Sequence, residues 1–166
     1  MIIERLVKIM LVFFLSLFCL SVAMDNIIDY QVNIAFLKHI MTMDTMRPGF
    51  DTMIASKRSI SSETVHALAF HSIIAVEFIA GFIALYASIR MFLHRKEARG
   101  FNAAKRIYLI AAGLMMSLWY FGFNVIAANW FYMWVNINGG QQASYNFSIY
   151  VLLTMIYVMQ RESTEA

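Results

Sequence analysis

Charge is scarce in this 166-residue chain: Asp, Glu, Lys and Arg together make up 14% of it, against roughly a quarter in soluble domains. A large independent soluble domain is thereby excluded. The single cysteine, Cys19, sits in the first apolar run, which excludes an intramolecular disulfide and any cysteine-built metal site. The single proline, Pro48, belongs to the turn signal Arg47-Pro48-Gly49, so no apolar run contains one. No Ser/His/Asp arrangement, phosphate-binding loop or H-E-x-x-H helix occurs. The expectation is a non-enzyme with no metal site.

What is abundant is apolar: 61% of residues are hydrophobic and the mean hydropathy is +0.65. Length fits one domain, 1–166, and four spans of about 20 residues use about half of it. The spans are expected at about 6–24, 65–93, 107–128 and 143–159. The first also carries the marks of a secretory signal peptide, with Arg5 and Lys8 before the apolar run and Ser21-Val22-Ala23 as a cleavage site. Its apolar length suffices to cross a bilayer, which favours a retained helix. The outer loop, 25–64, is partly helical. Within it Ile27, Tyr30, Ile34, Leu37 and Met41 recur at helical intervals, with Asn26, Asp29 and Asn33 on another face. This predicts an amphipathic helix over 27–43, lying on the membrane or continuing the first span. Ser61 or Ser62 can cap the second span.

The pI near 9.1 does not point to nucleic acid, because the basic residues sit at the ends of the apolar runs. Arg5, Lys8, Arg90, Arg95, Lys96, Arg99, Lys105, Arg106 and Arg161, nine of 13, fall on the amino terminus, the middle loop with the adjoining end of the second span, and the tail. Lys38, Arg47, Lys57 and Arg58 fall on the other loops, 25–64 and 129–142. The positive-inside rule places both termini in the cytoplasm. The fold class is all-α: a polytopic four-helix membrane bundle.

Glu77 is the one acidic residue within a span, close to mid-bilayer at 1.5 Å per residue, and must be protonated, paired or facing water. The same depth places Ser16, Ser117 and Thr154 near it, as a candidate polar layer inside the bundle. His66, Phe70, Ile73, Gly81, Ala84 and Ser88 lie at helical spacing from Glu77, a face partly small, as close helix contact requires. His66 and His71 lie near the outer end of the second span and raise the question of haem, which ordinarily draws axial histidines from facing helices. The other three spans hold no histidine, and only His39 of the outer loop could oppose them. No cofactor is therefore expected. On the third span Gly113, Ser117, Tyr120 and Asn124 share a stripe. Gly113-x-x-x-Ser117 reads as a packing motif, and Asn124 as turning inward to a hydrogen-bond partner. Trp130 and Trp134, with Asp25 and Asp29, are candidates for lipid or partner contact at the outer face, and the tryptophan segment is expected to pack on the amphipathic one.

Asp25-Asn26-Ile27-Ile28-Asp29-Tyr30, Met43-Asp44-Thr45, Trp130-Phe131-Tyr132-Met133-Trp134 and Gly139-Gly140-Gln141-Gln142-Ala143 resemble the proteobacterial family of predicted small integral membrane proteins of unknown function. The resemblance covers nearly the whole chain. It implies four helices in a bacterial inner membrane and no established activity. The leading expectation is a non-enzymatic accessory or scaffold subunit of a larger membrane complex, with the lipid bilayer and other membrane subunits as partners. A second is a small-molecule site for quinone, lipid or haem in the outer half of the bundle, near His66, His71 and Asn124. A third is a small proton-coupled transporter using Glu77, although no broken-helix or inverted-repeat signature supports it.

Overall fold

Apolar runs without internal proline fold as long helices, and the computed structural model, which describes residues 2–50, 52–137 and 139–162, has six α-helices. They are α1 (Ile2–Ile28), α2 (Tyr30–Thr42), α3 (Thr52–Arg58), α4 (Glu63–Leu93), α5 (Ala98–Met116) and α6 (Gln141–Met159). Among the described residues there is no β-strand, only an isolated antiparallel bridge between Met46 and Asn136. Among the described residues, three helical stretches are long and apolar enough to cross a membrane: Ile2–Ile28, Glu63–Leu93 and Ala98–Trp130. Helix α6, at 19 residues and 1.5 Å per residue, matches the roughly 30 Å of a hydrocarbon core. Its polar start, with Gln141, Gln142, Ser144 and Asn146, dilutes its hydropathy.

α4 is the central element. It packs along α1 on one side and α5 on the other, while α6 covers α5 and touches α1. Its buried stripe is small: Ala80, Gly81, Ala84, Ala87 and Ser88, ending at Met91. Small residues let backbones approach, and dispersion then replaces the hydrophobic drive that lipid cannot supply. A Cβ on Gly81 would lie 2.8 Å from Cγ and Cδ2 of Leu20 and 3.3 Å from its backbone nitrogen. Gly81 thus fixes the α1–α4 distance. Gly113 is different: a Cβ there would meet nothing within 4 Å, and Ser117 is exposed. The Gly113-x-x-x-Ser117 motif therefore makes no close helix contact within this chain, a correction to its reading as a packing motif, because this face of the helix points away from the bundle.

α1 runs four residues past its expected end. Asp29, with φ −100° and ψ 39°, interrupts it for one residue before α2 begins, and the Val32 and Asn33 amides still bond the Asp29 carbonyl. α2 lays Ile34 against Phe70 and Ile74 of α4. Ser62 occupies the position before α4 but makes no side-chain cap bond. The outer segments do pack on one another. Ile40, Met41 and Met43 join Phe131 and Met133 in one cluster, and the Asn136 amide donates to Thr45 Oγ1 at 2.8 Å.

At the opposite end the termini meet. Arg5 Nε lies 3.1 Å and Lys8 Nζ 2.6 Å from the two carboxylate oxygens of Glu162, with Lys105 Nζ 3.7 Å away. Arg5 also donates to the Arg95 carbonyl, and Lys8 and Lys105 to that of Gln160. The basic loop expected over 94–106 is therefore shorter. α5 starts at Ala98, and Lys105 is 2% exposed. Buried cations here are paired and hydrogen-bonded, the condition for keeping charge out of water.

The third long helix changes its winding. From Ser117 to Trp130 it is a π-helix of 14 residues, a form ordinarily limited to single turns and frequent at functional sites. The Asn124 amide donates to the Trp119 carbonyl (2.9 Å) and the Asn129 amide to that of Asn124 (3.2 Å), each five residues back. Side chains thus reinforce the wider register. α5, rather than this π segment, carries the packing against α4, so the amino-terminal half of α4 stands apart from the segment opposite it.

Candidate functional site

That separation leaves a half-open cavity of about 210 Å³. Each wall follows from local spacing. Phe70, Ile73 and Glu77 are three and four residues apart on one face of α4, Val22 and Asn26 four apart on α1, and Trp119 and Phe123 four apart on the π segment. α2 contributes Asn33, Phe36 and Leu37, and the start of α6 Gly140, Ala143 and Ser144. Gly140 has φ 102°, and a Cβ on it would come within 2.7 Å of Phe36 Cζ. Only glycine serves both the left-handed turn and the approach of the Phe36 ring.

One polar side chain of the lining reaches Glu77, which is 1% exposed. Asn26 Nδ2 donates to Glu77 Oε2 at 2.8 Å. That is the one hydrogen bond its carboxylate makes among the described residues. The lining holds no lysine, arginine or histidine. Asn124 stands behind the wall, buried, accepting from Ser144 Oγ at 3.2 Å. Through Ser144 and the Trp119 carbonyl it positions two lining residues. Trp119 stacks on Phe123 at 5.3 Å and meets Phe147 edge-on at 4.9 Å. Its indole Nε1 is buried and has no hydrogen-bond partner among the described residues.

The other sequence candidates go elsewhere. His66 Nε2 donates to the Ile60 carbonyl at 2.7 Å, His39 Nδ1 lies 2.9 Å from Asp44 Oδ1, and His71 lies 3.4 Å from the Tyr30 hydroxyl. The three do not face one another, and among the described residues no group of three His, Cys, Asp or Glu could hold a metal ion. Of that candidate set, only Asn124 bonds a residue of the cavity lining, Ser144. The polar layer is not assembled. Ser117 Oγ donates to the Gly113 carbonyl on the exposed face, Ser16 Oγ is buried without a partner, and Thr154 lies on the buried face of α6. None of them lines the cavity.

At the end of the bundle away from Glu162, Trp130 and Trp134 are 52% and 49% exposed. The Arg58 guanidinium lies over Trp130 at 5.1 Å, and Phe50 meets Trp134 edge-on at 5.5 Å. Asp25 and Asp29 are exposed, and the Asp25 carbonyl accepts from Asn33. The aromatic walls Phe36, Phe70, Trp119 and Phe123 were not singled out as a site from sequence. The signal available was the seven-residue spacing of Asn26 and Asn33, two turns on one stripe, which a search for Glu77 partners could have used.

A family model described as predicted small integral membrane protein (DUF2165) matches residues 4–161, and the chain belongs to that family. No curated protein and no solved structure matches it.

Proposed function

We propose, taking this membership of a family of small integral membrane proteins as the premise, that the chain is a non-enzymatic binding protein that holds a small amphipathic molecule in the cavity at Glu77. The observation that carries this reading is a buried carboxylate facing about 210 Å³ of space between four aromatic side chains. Packed interiors keep few voids larger than a water, and pockets of this kind, apolar with a few convergent polar groups, are where small ligands bind. Gentle-detergent purification of the full chain tests it. A small molecule should be recovered with the wild type by mass spectrometry and be lost from Ile73→Trp, whose indole fills the space. Equal recovery from both proteins, or none from either, sinks the reading.

The same preparation addresses a second reading, an accessory subunit of a larger complex. The exposed outer rim of Phe50, Trp130, Trp134 and Ile137 supports it, since aromatic anchors dominate interfaces. A stoichiometric protein partner that stays with Ile73→Trp is its expected signature.

In this proposal α1, α4, the α5–π helix and α6 cross a bacterial inner membrane with both termini cytoplasmic. The nine basic residues at one end and four at the other support that orientation, and the Arg5–Glu162 contact supports an even number of crossings. Single cysteines introduced at Lys57 and at Lys96, with Cys19 replaced by alanine, should label from opposite faces. Labelling of both from outside sealed cells would reject the topology.

A further inference from the structure

We propose that the molecule held at Glu77 is a small organic cation, an alkyl or aralkyl ammonium; this rests on the binding reading above. Three features of the cavity argue for it together. First, Glu77 is the only charged residue of the lining among the described residues, and an isolated carboxylate away from water calls for a counter-charge. Asn26 supplies one neutral hydrogen bond to Oε2 and no charge. Second, the walls are the rings of Phe36, Phe70, Trp119 and Phe123. Ring faces carry negative quadrupole potential, so they attract a cation and disfavour an anion. Third, the other polar side chains of the lining are the uncharged Asn26, Asn33 and Ser144, and among the described residues no basic residue of the lining repels a positive ligand.

Size narrows the class. A pocket of about 210 Å³ suits one ring or a few short alkyl chains around one nitrogen. Val22, Phe36, Leu37, Phe70 and Ile73 offer hydrocarbon for those groups to displace water against. Binding is non-covalent. The ammonium ion-pairs with Glu77, and its alkyl or aryl part occupies the aromatic walls.

Phenethylammonium and its neutral near-isostere 2-phenylethanol separate charge from shape. Their affinities for the full chain in nanodiscs can be read by ligand-observed NMR titration, for wild type, Glu77→Gln and Ile73→Trp. Phenethylammonium is expected to bind at least tenfold more tightly than the alcohol, and Glu77→Gln to remove that advantage while leaving the alcohol unchanged. Equal affinities that are both lost in Ile73→Trp overturn the cation inference and leave the binding reading standing. If binding of both ligands is unaffected by Ile73→Trp, or undetectable in wild type, both readings fall.

Discussion

Replacing Gly81 by leucine is expected to disrupt the α1–α4 interface and deplete the folded protein, whereas Gly113→Leu should leave both unchanged. Two glycines on long apolar helices differ in what surrounds them. At Gly81 even one methyl group would stand 2.8 Å from two carbons of Leu20 and 3.3 Å from its backbone nitrogen, and at Gly113 nothing lies within 4 Å. The Leu20 side chain can rotate, but its backbone cannot without moving α1. Overpacking of this kind costs about 1–3 kcal/mol, so Gly81→Ala should lower the thermal midpoint in mild detergent, and the leucine, with three more carbons, should exceed that range. Alanine's better helix propensity, worth up to about 1 kcal/mol, works in the opposite direction at both sites and gives Gly113→Ala a neutral or slightly positive effect. Adding Leu20→Ala to Gly81→Ala should recover part of the loss, since it removes the closer of the two clashes. Equal midpoints for Gly81→Leu and Gly113→Leu would contradict this account of the interface.

Loss of the Glu162 carboxylate is the second large effect expected. Glu162 faces Arg5, Lys8 and Lys105, all buried, so Glu162→Ala strands three cations whose desolvation it offsets. A stranded buried partner costs about 1–3 kcal/mol, and the tail from Gln160 should detach from the bundle. Burial by itself raises the Glu162 pKa, but the hydrogen bonds from Lys8 and Arg5 and the charges of Lys8 and Lys105 outweigh it and hold the carboxyl below the usual carboxylate range. A depressed folded-state pKa means that the stabilisation is complete above the unfolded value of about 4.3 and is lost as pH falls through the folded value. The thermal midpoint should therefore be insensitive to this group near neutrality and fall on acidification below about pH 4. Glu162→Gln should start lower and show a shallower acid decline. Identical pH profiles for the two proteins would remove Glu162 from the account.

Parts of the site were legible before the structure. Glu77 was recognisable because a carboxylate among apolar residues must find a partner, and Asn124 because a buried amide must be bonded. Asn26 supplies the first partner and Ser144 the second. The histidines, weighed as axial haem ligands and set aside for want of a facing partner, each bond a different group: His39 with Asp44, His66 with the Ile60 carbonyl and His71 with Tyr30. The Gly113-x-x-x-Ser117 spacing misled. A small-residue motif states that a backbone can approach, and says nothing of whether one does.

The sequence by itself determined the helical class, the membrane setting and the clustering of basic charge at the ends of the apolar runs. Each of these follows from the composition of contiguous stretches: uninterrupted hydrocarbon must keep its backbone hydrogen bonds within the helix, and cations collect where helices leave lipid. Only the tertiary structure decided the cavity. Asn26 and Glu77 are 51 positions apart and meet because Gly81 sets the spacing of α1 and α4. The space beside them exists because the helix after Met116 widens into the π register, which carries Trp119 and Phe123 into the cavity wall while α5 retains the packing against α4. Distances between elements and the winding of a helix are cooperative properties of the packed chain, which is why no local pattern of residues announced them.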